Sequence, residues 1–270
     1  MPPRLKRRVR LTAAMPLDPA YEIAPLSELI RRSQTNVLLG LRLAEKVDVW
    51  PPPTQEELAF AQVSFGGPPL DPVVTTERFK SWVLLNGFED IHKSLRVALE
   101  RSFVFGTISS LLLTEPELDI RSRESELSGK ARSCHFPELT KLVTSALGEP
   151  LPDLAAMESF NCVRNCLEHT NGQVTVRHCN NPTKDQLTIH GRRFRYFFKR
   201  GDLEVPAELG KPGPENAALM LGVERFEIPF SLAQPIDLSL KQFVDVLNTC
   251  VLICADLDVR LKKLPQRGAV

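Results

Sequence analysis

Apolar residues recur at steps of three and four along most of this chain of 270 residues, a pattern typical of amphipathic helices. The most regular stripe predicts a helix over 238–264, and another predicts a long helix that begins near 76 and continues toward 113. Weaker stripes predict helices over 26–48, 135–147 and 153–170. The pattern therefore favours a mainly helical protein.

Two segments depart from the helical period. Residues 114–133 are charged and polar with little periodicity, so we expect a mobile loop there. Within 173–236, apolar residues alternate with polar ones as in half-buried strands. These alternating residues are Val174, Val176, Leu187, Ile189, Phe194, Tyr196, Phe198, Leu203, Val205, Phe226 and Ile228. We therefore predict a mainly α fold, an up-and-down bundle of about four to five helices with a β-rich insert before the last helix.

The composition divides the chain into three parts. Residues 1–18 form a basic tail that we expect to be disordered, and Met15 within it is an alternative start of translation. Residues 19–75 combine an N-terminal helix with a connector rich in proline and glycine. Residues 76–265 contain the helical domain together with the β-rich insert at 173–236.

The net charge of +1 hides a basic N-terminus and an acidic remainder. Residues 1–14 hold five basic side chains and no acidic one, so the rest of the chain carries −4. A mildly acidic body argues against broad, charge-driven nucleic-acid binding, and any RNA contact must be local. The hydrophobic fraction of 43% is that of an ordinary soluble protein, and no apolar run approaches the length of a membrane span.

Six cysteines favour a reducing compartment, and we expect a cytoplasmic protein. Cys162 and Cys166, and likewise Cys250 and Cys254, lie four residues apart on predicted helices. Structural zinc sites more often use Cys-x-x-Cys knuckles, so we interpret the cysteines as buried free thiols. We predict no metal ion and no cofactor.

The residues with the most specific chemistry lie near the end of the helix predicted over 153–170. Arg164 and Asn165 are followed by His169, and Asn171-Gly172 then ends the helix. Arginine holds phosphate with a planar fork, and histidine exchanges protons near neutral pH. Together these side chains suit a metal-free site that holds or cuts a phosphodiester.

Five polar residues share one face of this helix when it is drawn with ideal geometry. They are Asn161, Arg164, Asn165, Glu168 and His169. Arg164 and His169 nevertheless lie about 140° apart on that face, so one rigid helix does not aim both at a single phosphate. A two-fold dimer that sets two such helices across a cleft would bring groups from both chains to each phosphate.

The Arg-Asn-x-x-x-His pattern, late in a helix and followed by an Asn-Gly turn, resembles the ribonuclease signature of the HEPN superfamily. The resemblance covers about 76–263, because HEPN-like domains carry the motif near the end of their third helix and accept an insertion before the last one. It implies a helical, usually dimeric domain. Many such domains are metal-independent endoribonucleases of toxin–antitoxin and antiviral systems.

In such an enzyme each motif residue has a role. His169 acts as general base on the ribose 2′-hydroxyl or as general acid on the leaving oxygen, and Arg164 binds the scissile phosphate. Asn165 orients the phosphate or the imidazole, and Glu168 and Asn161 support the site. The products are a 2′,3′-cyclic phosphate and a 5′-hydroxyl, so the substrate is RNA. The expected partners are RNA, a second copy of the chain and a cognate antitoxin or regulatory protein, with no membrane.

Two other interpretations are open. The chain is either a non-catalytic HEPN-like helical module that binds RNA or a partner protein, or a scaffold whose β-rich insert meets a partner. Arg164 and Glu168 then form an ordinary helical ion pair, and His169 is placed where the helix dipole favours a cation. Asn171-Gly172 is then an ordinary helix cap.

A second candidate region, 192–200, places five cations among four aromatic residues. This mixture suits single-stranded RNA, and Arg192, Arg193 and Arg195 are its candidate RNA-binding residues. Strand alternation instead predicts that Phe194, Tyr196 and Phe198 are buried and that the arginines form a solvated edge.

The other histidines have weaker signals. His92 on the long predicted helix is a candidate neighbour of the motif, although a lone histidine is more often a surface residue. His178 and His190 lie in the insert, and the sequence suggests no ligand-like partners for them.

Overall fold

The computed structural model describes residues 19–46, 71–115, 118–181, 183–207 and 211–264. The basic tail predicted at 1–18 and most of the connector, at 47–70, lie outside these residues. The predictions about them therefore stay predictions.

Six α-helices and one small antiparallel sheet make up the regular structure of the described ranges, and the sheet precedes the last helix. The helices are α1 (Pro19–Lys46), α2 (Pro72–Thr114), α3 (Ile120–Ser133), α4 (Phe136–Leu147), α5 (Leu154–Thr170) and α6 (Leu240–Lys263). The strands are β1 (Gln186–Arg200), β2 (Leu203–Pro206) and β3 (Ala218–Ser231), in the spatial order β2-β1-β3. The predictions of a mainly helical fold and of a β-rich insert before the last helix are confirmed.

The longest helix, α2, begins at Pro72 rather than near 76, because Asp71 caps it. The Asp71 carboxylate accepts hydrogen bonds from the backbone N–H groups of Val73 at 2.8 Å and Val74 at 3.4 Å, and proline fits the first helical turn. Its buried residues include Leu84, Phe88, Ile91, Leu95, Leu99, Phe103 and Ile108. All five other helices contact α2, which makes it the central helix of the core.

Helices α1, α2 and α6 approach one another closely at Gly87. A Cβ atom there would lie 2.3 Å from Cγ2 of Val37 on α1 and 2.9 Å from Cε2 of Phe243 on α6. Because real Cβ atoms do not tolerate such distances, glycine is the residue that permits this crossing. Ile30, Val37 and Leu41 of α1 consequently belong to the same hydrophobic core as the later helices.

The segment predicted as a mobile loop at 114–133 contains the helix α3, so that prediction is wrong. Asp119 caps α3 by accepting a hydrogen bond of 3.3 Å from a backbone N–H of the first turn. Leu127 and Ala131, four residues apart, are buried, whereas most other side chains of α3 are exposed. These two apolar residues pack into the core, and Nη2 of Arg96 on α2 donates to the carbonyl of Arg132 at 3.1 Å, so the polar segment is held against α2.

Strand β1 is the central strand of the sheet and pairs with β3, with Ile189 opposite Ile228. Helices α5 and α6 both contact β1. Gly191 permits this approach, because a Cβ atom there would lie 2.5 Å from Cζ of Phe226 and from Oγ1 of Thr249. The Thr249 hydroxyl accepts one backbone hydrogen bond from β1 at 3.0 Å and donates another to it at 2.8 Å.

One stretch of α2, within Val73–Thr114, has the length and the mean hydropathy of a membrane-spanning helix. The sequence has no uninterrupted apolar run of that length, but an average over 18 residues tolerates scattered polar side chains. Core helices of soluble proteins pass the same test, and Phe88, Ile91 and Leu95 of this helix are buried.

Candidate functional site

Helix α5 carries the predicted motif on a partly exposed face, while its other face lies in the core. Ala156, Phe160 and Val163 are buried and form an apolar stripe along this helix. Leu167 extends the stripe and is partly buried against the same core. The buried stripe fixes the rotation of the helix and therefore the direction of its polar face.

Glu168 joins the two charged residues of the motif. Its carboxylate contacts both terminal nitrogens of Arg164, with 2.8 Å between Nη2 and Oε1. Oε2 of the same carboxylate lies 3.5 Å from Nε2 of His169. Arg164 and His169 diverge by about 140° on an ideal helix. The carboxylate between them nevertheless makes the three side chains one contiguous cluster.

This cluster is accessible to solvent. The side chains of Arg164, Glu168 and His169 are 38%, 45% and 55% exposed. The imidazole is therefore in contact with solvent and open to a bound molecule, rather than being enclosed among the helices. An ion pair as exposed as Arg164–Glu168 contributes little to stability, about 0.5 kcal/mol or less.

Two asparagines belong to the same face of the helix. Asn165 lies next to Arg164, and Asn161 lies one helical turn earlier. Oδ1 of Asn165 accepts a hydrogen bond of 3.2 Å from Nη1 of Arg164. Asn161 is half-buried, as is Asn165. The guanidinium is thus held between an amide oxygen and a carboxylate, which limits its rotamers before any ligand arrives.

The chain reverses immediately after α5. Asn171 and Gly172 have left-handed φ angles of 51° and 80°, which end the helix as predicted. The Thr170 hydroxyl donates to the carbonyl of Gln173 at 2.7 Å. This turn leads the chain into a short 3₁₀ helix, Val176–His178, that contacts α5. The prediction of a strand at Val176 is therefore wrong, because the tight turn sets the local conformation.

His178 has partners that the sequence did not suggest. It is 5% exposed, and its Nε2 accepts a hydrogen bond of 3.2 Å from Nε of Arg177. Its Nδ1 lies 3.0 Å from Oγ1 of Thr175. Because a guanidinium only donates, Nε2 carries no proton and the Nδ1–H donates to Thr175. Burial, followed by the positive charge of Arg177, lowers the pKa of His178 and favours its neutral ring.

His92 of α2 is a second buried histidine near the motif. Its side chain is 6% exposed, and its ring centroid lies 5.1 Å from that of Phe136. Within the part of the chain that the structure describes, its Nε2 has no hydrogen-bond partner. Burial, followed by the charges of Arg164, Arg96 and Lys93, lowers the pKa of His92 to about 4. The motif arginine is therefore close enough to a neutral imidazole of α2 to interact with it electrostatically.

The arginines predicted as weak RNA-binding residues are all ion-paired within the protein. The pairs are Arg192 with Asp153 and Asp256, Arg193 with Glu224 and Asp245, and Arg195 with Glu204 and Glu224. The guanidinium of Arg195 also lies 4.3 Å from the ring centroid of Phe197. These contacts compensate the positive charges, and none of them involves a residue of the α5 motif.

The burial predicted for the aromatic residues of β1 is wrong. Tyr196 is 56% exposed, whereas the neighbouring Phe197 is buried. On β3, the buried residues lie between Phe226 and Phe230, whereas residues 218–225 are not buried. The helices therefore cover only one half of the paired strands β1 and β3. Beyond it, Tyr196 and its partner Leu221 form part of an exposed apolar face. Period-two alternation shows which residues share a face but not which face the helices cover.

All six cysteines are free thiols, as predicted, although only three of them are buried. Burial raises the pKa of Cys254 to about 12 and raises that of Cys250 as well. Within the described ranges, no three His, Cys, Asp or Glu residues are grouped so that they could hold a metal ion.

The chain matches no protein-family model, and no curated protein or solved structure matches it either. The resemblance to the HEPN superfamily therefore depends on the motif and on the insert before the last helix. The expected position of the motif on the third helix is wrong, because α3 makes α5 the fourth helix within residues 71–264. Chemically, the site combines an accessible imidazole, a guanidinium held in place and a bridging carboxylate at one helix end. These groups are suited to proton transfer beside a bound phosphate.

Proposed function

We propose that this protein is a metal-independent endoribonuclease of the HEPN type and that the C-terminal end of α5 is its active site. The observation that carries the proposal is the cluster of Arg164, Glu168 and His169, which is accessible to solvent although its helix is anchored in the core. The mainly helical fold with an insert before the last helix supports the same assignment.

In the proposed reaction, His169 removes the proton of the ribose 2′-hydroxyl. The 2′-oxygen forms a bond to phosphorus, the bond from phosphorus to the 5′-oxygen breaks, and a general acid protonates the 5′-oxygen. In a homodimer this acid is a protonated His169 from the second copy, so each phosphate meets groups from both chains. The products are a 2′,3′-cyclic phosphate and a 5′-hydroxyl.

Arg164 binds the scissile phosphate and stabilises the charge that grows on its oxygens. Its contacts with Glu168 and Asn165 leave further guanidinium N–H groups free to donate to a ligand. Glu168 keeps the guanidinium beside His169, and the half-buried Asn161 supports the polar face one turn earlier.

The resemblance extends the proposal to the biological setting. We expect an up-and-down bundle that dimerises through the motif helices, a cytoplasmic location, and a role as a toxin or antiviral effector. A cognate antitoxin or other regulatory protein would keep such a nuclease silent.

Incubation of the purified protein with mixed RNA in the presence of EDTA tests the proposal. We expect the wild-type protein to cut RNA into fragments with 2′,3′-cyclic phosphate and 5′-hydroxyl ends, and to leave DNA intact because DNA lacks the nucleophile. His169→Ala and Arg164→Ala should each lower the cleavage rate by about 100-fold or more.

Two variants serve as matched controls. His190→Ala removes a partly exposed histidine beside a cavity at the other end of α5, which Leu154 and Ala156 also line. Arg123→Ala breaks the ion pair with Glu126, which is an exposed helical pair on α3. Both controls should cut RNA at the wild-type rate. Undiminished cleavage by His169→Ala, or dependence on an added metal ion, rejects the proposal.

A second candidate is a non-catalytic helical module that binds RNA or a partner protein. The observation that favours it is the Arg164–Glu168 contact itself, which is the ordinary ion pair of residues four apart on a helix. This candidate predicts binding without cleavage, and motif variants that change stability without changing any reaction rate.

A further inference from the structure

Arg177 is a guanidinium on the 3₁₀ helix that follows α5, and the proposed reaction does not use it. Its side chain belongs to an exposed residue of the 3₁₀ helix, and its Nε donates to Nε2 of the buried His178 at 3.2 Å. Thr175 in turn accepts from Nδ1 of His178 at 3.0 Å. A buried acceptor that is itself hydrogen-bonded thus fixes the direction of an exposed cation.

The turn after α5 is what brings Arg177 to the site. Hydrogen bonds from Gly172 N–H to the carbonyl of Cys166 at 3.1 Å and from the Cys166 thiol to the carbonyl of Gln173 at 3.2 Å close this turn. The 3₁₀ helix that carries Arg177 contacts α5 directly after this turn. In agreement with this contact, burial raises the pKa of the Cys166 thiol and the charge of Arg177 opposes that rise.

Two guanidinium groups thus have partners of different chemistry in this part of the chain. The Glu168 carboxylate, which also lies 3.5 Å from Nε2 of His169, contacts Arg164, and the imidazole of His178 accepts a hydrogen bond from Arg177. The two partners differ in charge, because a carboxylate neutralises Arg164 whereas a neutral imidazole orients Arg177. Among the described residues, no carboxylate forms an ion pair with Arg177.

An oriented cation whose charge is not compensated is suited to bind an anion. The neutral acceptor limits the conformational entropy that Arg177 would lose on binding, but it does not compete for the positive charge. A purely structural arginine usually ends on a carboxylate or a carbonyl oxygen, as Arg192 does on Asp153 and Asp256.

We infer that Arg177 binds an RNA phosphate next to the one held by Arg164, and that His178 is the positioning residue that holds Arg177 for this contact. The inference rests on the proposed function, since it takes RNA as the ligand. It adds a second phosphate contact outside the six-residue motif, so the site would favour a chain of several nucleotides over a dinucleotide.

Binding of a labelled single-stranded RNA to the His169→Ala protein, followed by fluorescence anisotropy at several salt concentrations, tests the inference without cleavage. Adding Arg177→Ala should weaken binding about tenfold at low salt, as expected for loss of a charge-assisted contact. It should also make the slope of log K against log salt shallower by about 0.7, the value for one phosphate contact on a single strand. Arg177→Lys should restore most of the slope, because lysine keeps the charge.

Arg225→Ala is the matched control, because it also removes one exposed positive charge but lies on β3 beside the cavity at the other end of α5. Its salt slope should equal that of the parent protein. Equal affinities and slopes for the Arg177→Ala and Arg225→Ala proteins overturn the inference.

The role of His178 is tested by a double-mutant cycle. His178→Leu should lower RNA affinity about as much as Arg177→Ala, and the double variant should be no worse than either single one. His178→Gln, which keeps an acceptor, should retain more affinity than His178→Leu at equal thermal stability. Additive losses contradict the positioning role.

Failure of the inference and failure of the proposed function have different signatures. If the wild-type protein binds RNA without cutting it, the catalytic proposal fails, and the salt slope of Arg177→Ala still decides the inference. If wild-type cleavage is intact and Arg177→Ala leaves the slope unchanged, the inference fails alone. If the His169→Ala protein binds no RNA, the inference is overturned.

Discussion

Two regions of this protein use arginine in opposite ways. In β1, Arg192 joins the residue before α5 to α6, and Arg193 joins β3 to α6. At the end of α5, Arg164 instead contacts Asn165 and Glu168 of its own helix. Arginines that connect separate elements hold the fold together, whereas an arginine held locally at an exposed helix end is available to a ligand.

The comparison shows why a count of cations does not identify an RNA site. Residues 192–200 hold more positive charge than the end of α5, yet carboxylates from distant parts of the chain compensate Arg192, Arg193 and Arg195. Hydrogen bonds from Arg193 to the carboxylates of Glu224 and Asp245 raise the pKa of that guanidinium despite partial burial. The two regions therefore differ in where the compensating carboxylates come from: separate elements of the fold for Arg192, Arg193 and Arg195, and the same exposed helix for Arg164.

The largest expected effect is on activity and separates the two regions directly. Arg164→Ala should lower RNA cleavage by about 10²–10³-fold, as expected for loss of a transition-state contact. The combined change of Arg192, Arg193 and Arg195 to alanine should leave the cleavage rate per folded molecule unchanged. Single-turnover cleavage assays, normalised to the folded fraction from circular dichroism, measure both.

The triple variant removes several ion pairs and can therefore destabilise the fold. Arg195→Ala alone tests the same point with a smaller effect on stability. Arg195 is the most exposed of the three arginines, and its partner Glu204 lies on the short edge strand β2. A loss of RNA binding by folded Arg195→Ala protein would break the comparison, because it would place an RNA contact on the hairpin.

The second prediction concerns the pH dependence of stability. It involves His92 of α2, whose pKa is lowered by burial and by the charge of the motif arginine, Arg164. His92 has a pKa of about 4 in the folded protein and about 6.5 when unfolded, so the unfolded state binds more protons between these values. The stabilising contribution of the neutral ring is therefore complete above pH 6.5 and is lost as pH falls toward 4. Wild-type protein should lose about 3 kcal/mol more stability than His92→Gln over that interval.

Urea unfolding from pH 7 to pH 4 measures this difference, with His135→Gln as the control histidine at the exposed end of α4. His178 titrates in the same direction and contributes to both curves, so only the difference between wild type and variant counts. Parallel stability curves for wild type and His92→Gln would contradict the prediction.

The third prediction concerns stability instead of activity, and here the larger loss is expected in β1 and not at the end of α5. Arg192→Ala should lower the free energy of unfolding by about 2 kcal/mol, because it leaves the carboxylates of Asp153 and Asp256 without their cation in a partly buried place. Chemical denaturation measures this loss, and Arg123→Ala, which breaks an exposed pair, should lose far less. Equal stabilities of the two variants would show that Arg192 does not tie α5 to α6 as the contacts indicate.

The smallest effect is the stability change of Arg164→Ala. Its exposed ion pair with Glu168 should contribute about 0.5 kcal/mol or less, and 1 M salt should remove most of that. The same denaturation experiment at two salt concentrations gives the value. A loss as large as that of Arg192→Ala would mean that the motif arginine is structural, which would favour the non-catalytic candidate.

The helical part of the fold was predictable where apolar steps are long and regular, as in α2 and α6. The helix α3 was missed because only Leu127 and Ala131 are buried in it, and two residues do not define a period. The lengths of β1 and β3 were also missed. Each predicted strand fragment on β1 is part of one continuous strand, because residues 186–200 contain no proline, asparagine or aspartate and Gly191 is accommodated within the strand.

Of the candidate site, only the contacts between residues of the same helix, α5, were predictable from the sequence. Residues four apart, such as Arg164 and Glu168, must lie close together, so their contact follows from spacing. The proximity of His178 to His169 depends instead on the reversal after Asn171-Gly172, whose direction the sequence does not state. A signal was present, since an Asn-Gly stop commonly reverses a chain and His178 follows it closely. The burial of His92 depends on the packing of α2 against α4, which no local pattern reports.

The close crossing at Gly87 sets a limit on how the protein can be shortened. Val37 fills the space beside this glycine, and Ile30 and Leu41 continue the same seam. A fragment that starts at residue 71 would retain the whole motif but would leave that seam bare to water. A truncation meant to isolate the part that carries the motif should therefore keep the first helix, or supply it as a separate peptide that docks in its place.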